Sequence, residues 1–200
     1  MRHLRKVLAL TLLFAFLESV QAEDSSPDKV IVGAYVNDTQ SLNLREHSYS
    51  MDIYVWFRWR DPSIDPTDTV EVVNPNELWG HVSNLQYDEP LQLPSGELYQ
   101  VLRVQGRFSH KFFFYNFPYD RQKLVVEFED SVNEVDRLVY VPDESPISIN
   151  PRLVLPGFRV GVPNLAVNRS HTQPVLAIHA EPSRTSTHVF ESKYPFDGPL

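Results

Sequence analysis

The sequence predicts an all-β sandwich, and three observations lead there. In residues 49–60 the odd positions from Met51 to Trp59 are all apolar, while the even ones carry Asp52, Arg58 and Arg60 together with Tyr54 and Trp56, which is the period of a strand with one buried face. Sixteen prolines stand against seven glycines, with twelve phenylalanines and nine tyrosines, a balance that favours short strands and rigid loops, because proline breaks helices and aromatics pack on pleated surfaces. The remaining apolar segments are short and separated by turn residues. With 42% apolar and 22% charged content over 200 residues, the chain can bury one core, so one domain is expected.

The elements follow in order. Arg2, Arg5 and Lys6 precede an apolar run over residues 7–17, and Val20-Gln21-Ala22 places small residues where signal peptidase needs them before a cut at Glu23. The run is shorter than the ~20 apolar residues of a membrane span. Residues 1–22 therefore read as a cleavable signal peptide, and the product is expected to be exported, on the extracellular or periplasmic face of the membrane. Removing them takes away Arg2, Arg5, Lys6 and Glu18 and leaves 15 Lys/Arg against 25 Asp/Glu, a formal charge of −10. Phosphate binding needs concentrated positive charge, so no nucleic-acid partner is expected. There is no cysteine, which excludes disulfides, zinc-thiolate sites and cysteine nucleophiles. Nothing after residue 17 approaches ~20 consecutive apolar residues, so this chain is not expected to build a helical pore by itself.

Residues 23–28 form a polar lead-in, and the domain spans residues 29–200. A strand over residues 30–36 meets a polar break at Asn37-Asp38-Thr39 before residues 42–45. In the strand over 49–60, Met51, Ile53, Val55, Phe57 and Trp59 form one face. Asp52, Tyr54, Trp56, Arg58 and Arg60 form the other, which suits a surface meeting a partner or ligand. Asp61-Pro62 ends it, and a proline- and aspartate-rich connection runs over residues 62–75. Further strands are expected over residues 98–108, 124–128, 137–141 and 157–162, spaced as in a sandwich. Residues 180–200 have weak periodicity and take no assignment.

The aromatic segment over residues 108–124 contains Phe117-Pro118-Tyr119-Asp120 followed by Gln122. Proline fixes a turn, the aromatics would insert into an apolar surface, and Asp120 is left to bond backbone or a cation, as in a docking loop. With Trp59-Arg60-Asp61 in register upstream, this segment resembles the pentameric ligand-gated ion channels, or Cys-loop receptors, across roughly residues 30–140. The two cysteines that usually close the loop are replaced by His110 and Leu124, as in the bacterial branch of that family. The resemblance implies an immunoglobulin-like β-sandwich of about ten strands, a neurotransmitter-gated channel ligand-binding domain over residues 29–200, and a homopentamer. It further implies a small ligand bound between subunits, and a membrane pore domain that this chain does not contain. Phe117, Pro118, Tyr119 and Asp120 would form the gating loop, and Trp59 and Asp61 a structural motif.

By the same resemblance, Tyr54, five residues before Trp59, faces the ligand from one subunit. Tyr87, Asp130, Ser131 and Phe190 face it from the other. The pattern is incomplete: Trp79-Gly80-His81 keeps only the tryptophan of the first ligand loop, and Ser131 stands where many members have an aromatic. Removing an aromatic wall makes an amine a poor default ligand.

Carboxylates gather at Glu127, Glu129, Asp130, Glu134 and Asp136, and again at Asp143 and Glu144. They read either as solvated strand edges or as a site for a divalent cation such as Ca2+, with Glu127, Glu129 and Asp130 as ligands and no other cofactor expected. His110 reads as a polar loop residue or as a pH sensor. No Gly-rich phosphate loop, nucleophile elbow or paired metal motif is present, so an enzyme is not expected. Two other function classes fit less of the sequence. A secreted or periplasmic soluble binding module without a pore would leave Phe112, Phe113, Phe114 and Tyr115 as an exposed apolar patch. A carbohydrate-binding or structural sandwich would make the two motifs in register a coincidence.

Overall fold

The computed structural model describes residues 26–115, 121–168 and 175–180. The signal peptide, Phe117, Pro118, Tyr119, Asp120 and Phe190 lie outside the described residues. The chain runs β1(Asp28–Asn43), β2(Ser48–Trp59), a single helical turn α1(Pro66–Thr69), β3(Val70–Val72), β4(His81–Leu85) and β5(Leu91–Gln92). It continues through β6(Leu98–Ser109), β7(Leu124–Asp130), β8(Leu138–Ile149), β9(Pro163–Asn168) and β10(Val175–Ala180). One mixed sheet has the order β4-β6-β2-β1-β8, with β5 also on β6; the other has the order β3-β7-β10-β9. β1 runs antiparallel to β2 and parallel to β8. Among the described residues, no helix is long and apolar enough to cross a membrane.

The two sheets share one core because each strand turns its apolar residues the same way. Met51, Ile53, Val55, Phe57 and Trp59 of β2 are all buried, as the alternation requires, beside Val30, Val32, Ala34 and Val36 of β1. The second sheet brings Leu124, Val126 and Phe128 of β7 and Leu165 of β9 into the same cluster. Each large side chain so buried contributes roughly 1.5–3 kcal/mol. Tyr49 ties the sheets together through the core. Its hydroxyl accepts the Val125 N–H at 2.7 Å and donates to the Val125 carbonyl. Burial pushes this phenol far above its ordinary value, so it stays protonated and keeps donating.

Four differences from the sequence reading have physical causes. β1 does not break at Asn37-Asp38-Thr39; it passes through with irregularities between Val36 and Asp38 and between Gln40 and Asn43. The polar residues there are partnered inside the fold: Asn37 donates to Asp52, and the Asp38 carboxylate accepts the Thr39 N–H. The strand expected over 137–141 continues through Pro142 to Ile149, and its pairing with β1 shifts from Val32↔Pro142 to Ala34↔Ile147 across a bulge. Residues 157–162 are not a strand. Gly157 adopts φ 83°, the Phe158 N–H bonds the Leu155 carbonyl, and the strand starts only at Pro163. β4 is a largely exposed edge strand, with neither face buried enough to write a pattern into the sequence.

Candidate functional site

The register of the large sheet lays the outward side chains of three strands in rows. Tyr35, Tyr54 and Arg103 form one row, Gly33, Trp56 and Val101 the next, and Ile31, Arg58 and Tyr99 the third. In the first row the Tyr35 and Tyr54 rings lie 6.3 Å apart, and the Arg103 guanidinium sits 5.1 Å from the Tyr54 centroid. That spacing is within cation–π range. Arg103 also makes a two-point contact with Asp52 at 3.0 and 2.7 Å. Burial pushes the Asp52 carboxyl up, but the bonds from Arg103 and Asn37 outweigh it and leave the group below the usual carboxylate range.

The second row depends on a glycine. A Cβ at Gly33 would lie 2.1 Å from the Trp56 ring, so only a residue without one lets the indole lie flat across β1. Trp56 then points its Nε1 at Asp143, 3.0 Å away, in the β8 bulge. In the third row Arg58 bridges two carboxylates, Asp143 at 2.9 Å and Glu97 at 3.1 Å. Glu97 in turn accepts from Ser95 and meets Arg60 at 3.5 Å. A cavity of about 440 Å³ opens beside this group, lined in part by Asp28, Ile64 and Val141. Of its charged lining, Arg58, Arg60 and Glu97 are joined in ion pairs.

The outward face of β2, read from the sequence as meeting a partner or ligand, is thus largely engaged by the chain's own side chains. Tyr54 is only 8% exposed, and the position a ligand cation would take over its ring is filled by Arg103. Tyr87 packs on Tyr99 at 6.2 Å, and its backbone is held by the Gln100 amide. Asp130 is completely buried and accepts from Thr69, Asn133, Tyr140 and the Val132 and Asn133 N–H groups. Ser131 bonds the Thr69 carbonyl through both its N–H and its hydroxyl.

Glu127 and Glu129 sit on the opposite face of β7 from Asp130, because neighbouring residues of a strand alternate. The three carboxylates do not converge. Among the described residues no group of three or more His, Cys, Asp or Glu side chains is placed to hold a metal ion. Asp61 closes the turn after Trp59, its carboxylate accepting the Ser63 N–H at 2.8 Å and its carbonyl the Ile64 N–H. That bond from Ser63 holds the Asp61 carboxyl below its usual range.

At the other end of β2 lies the start of the aromatic loop. Phe112 is buried against Tyr49, while Phe113, Phe114 and Tyr115 are 57%, 42% and 85% exposed. The Gln122 amide closes the loop by bonding both the N–H and the carbonyl of Phe113, at 3.2 and 2.8 Å. The β1–β2 turn meets the loop through His47, which sequence reasoning did not single out. Arg103, Glu97 and Gln100 were also not read as site residues, although the polar alternation of Arg103, Gln105 and Arg107 places Arg103 on the outward face. No protein-family model matches the chain, and no curated protein matches it.

Proposed function

We propose that this chain is the extracellular ligand-binding domain of a ligand-gated ion channel. In this reading five copies assemble around an axis, and a small ligand binds between neighbours beside Tyr54. The observation that carries the reading is the continuity of β2. This one strand bears Tyr54, Trp56 and Arg58 on its outward face and begins at Ser48, immediately after the His47 turn that holds the aromatic loop. The six residue steps from Tyr54 to Ser48 span roughly 20 Å, a rigid path from a lateral binding face to a loop at the end of the domain. Movement at one end therefore biases the other.

Arg103 over Tyr54 makes a free amine a poor ligand, and a ligand offering an acceptor to the part-exposed guanidinium fits better. Exposure of Phe113, Phe114 and Tyr115 supports a domain that docks on a further apolar surface over a pore-free binding module.

Asp120→Ala is the test in the intact receptor. It should reduce gating, read as maximal current per receptor at the surface, much more than it changes ligand affinity. Unchanged gating in that variant removes the loop from the coupling path and sinks the proposal.

A further inference from the structure

The β1–β2 turn and the aromatic loop are joined through one histidine. His47 accepts the Phe112 N–H on its Nδ1 at 3.0 Å, and its carbonyl accepts the His110 N–H at 3.0 Å. Its ring lies 5.7 Å from that of Phe112 and 6.2 Å from that of Phe114. The backbone at His47 is in the left-handed region, φ 54°, which is uncommon for a residue with a side chain.

An imidazole nitrogen that accepts a hydrogen bond carries no proton, and histidine takes up its second proton near neutral pH. Once both ring nitrogens carry hydrogen, His47 cannot accept from Phe112. The Phe112 side chain is buried, so its N–H must then find water or another acceptor, and the loop has to move to let it.

We propose that His47 is a proton-sensitive latch: uncharged, it holds the aromatic loop on the β1–β2 turn, and protonated, it releases the Phe112 amide. The flanking rings attract an imidazolium, so the released side chain turns within its aromatic nest and stays there. Among the described residues, the charged and titratable groups on the segments that meet here are Arg45 and Glu46 on the turn, Arg107 at the end of β6, His110, Lys111 and Tyr115 on the loop, and Arg121 and Lys123 before β7. Arg107 and Glu46 are paired with each other at 2.7 Å. The Tyr49 phenol stays protonated throughout. Among the described residues of the turn and loop, His110 is the other histidine. The inference stands whether or not the domain gates a pore.

The test is a titration of the isotope-labelled protein between pH 5 and 8 by nuclear magnetic resonance, following the His47 ring and the Phe112 amide. The Phe112 amide resonance should move with the same midpoint as the His47 ring, and its protection from hydrogen exchange should fall about tenfold on the acid side. His47→Asn keeps an acceptor in the Nδ1 position, suits the left-handed backbone and cannot take up a proton in this range, so it should hold the Phe112 amide constant at all pH. His110→Asn should leave the titration in place. A Phe112 amide that ignores the His47 midpoint overturns the latch from the unsubstituted protein alone. So does a Phe112 shift that survives His47→Asn or vanishes with His110→Asn.

Discussion

Asp130→Ala is expected to destabilise the fold by about 3–5 kcal/mol, seen as a large fall in the midpoint of chemical denaturation. The carboxylate is completely buried, yet it is the common acceptor for the Thr69 hydroxyl, the Asn133 amide, the Tyr140 hydroxyl and the N–H groups of Val132 and Asn133. Burial and the neighbouring Asp130 push the Tyr140 phenol well above its ordinary value, so it donates at any working pH. Removing the acceptor strands these donors together, and the β7–β8 turn keeps only the bonds of Ser131 and Asn133 to Thr69 as its ties to α1. Asp130→Asn keeps the shape and one carbonyl oxygen, and should cost less than the alanine. Equal stability of Asp130→Ala and the parent would mean that the carboxylate is dispensable and that Asp130 is free for a ligand role.

Arg58→Ala should be comparably damaging, about 3–5 kcal/mol, because it leaves two enclosed carboxylates without their cation. Asp143 and Glu97 keep only 3% and 10% of their side-chain surface exposed, and each meets a different nitrogen of Arg58. Arg60 is 70% exposed and 3.5 Å from Glu97, too solvated to replace it. Arg58→Ala combined with Asp143→Asn should recover part of the loss, since the second change removes one of the stranded charges. Denaturation of the single and double variants measures this. A double variant losing the full sum of the two single effects would show that the pair is not coupled.

These two centres also show what the sequence could and could not disclose. The face of β2 was legible because one side is buried and the other is not, and alternation over twelve residues records that difference. Tyr54, Trp56 and Arg58 were assigned to the outward side for the same reason. Their partners were not legible. Asp143 lies 85 residues from Arg58, in an Asp-Glu pair that reads as a solvated turn, and only the β8 bulge opposite Gly33 brings it under the indole and guanidinium.

Gly33 itself carried no signal, since its role is set by a ring on the neighbouring strand. The strand expected over 137–141 was too short, because a strand that bends at a bulge loses the regular pattern and yet runs on to Ile149. Asp130 drew attention as one of a row of acids, but alternation along β7 separates it from Glu127 and Glu129. His47 was invisible because its importance arises from a loop 65 residues away.

The central claim, that this domain belongs to a membrane receptor, is tested most directly by fractionating source cells and measuring the native product with an antibody to the domain. A membrane-bound product much heavier than this 200-residue chain is the expected result, and it would lead directly to current recordings. A soluble product of the size left after signal cleavage would contradict the claim and assign the fold to a secreted binding module.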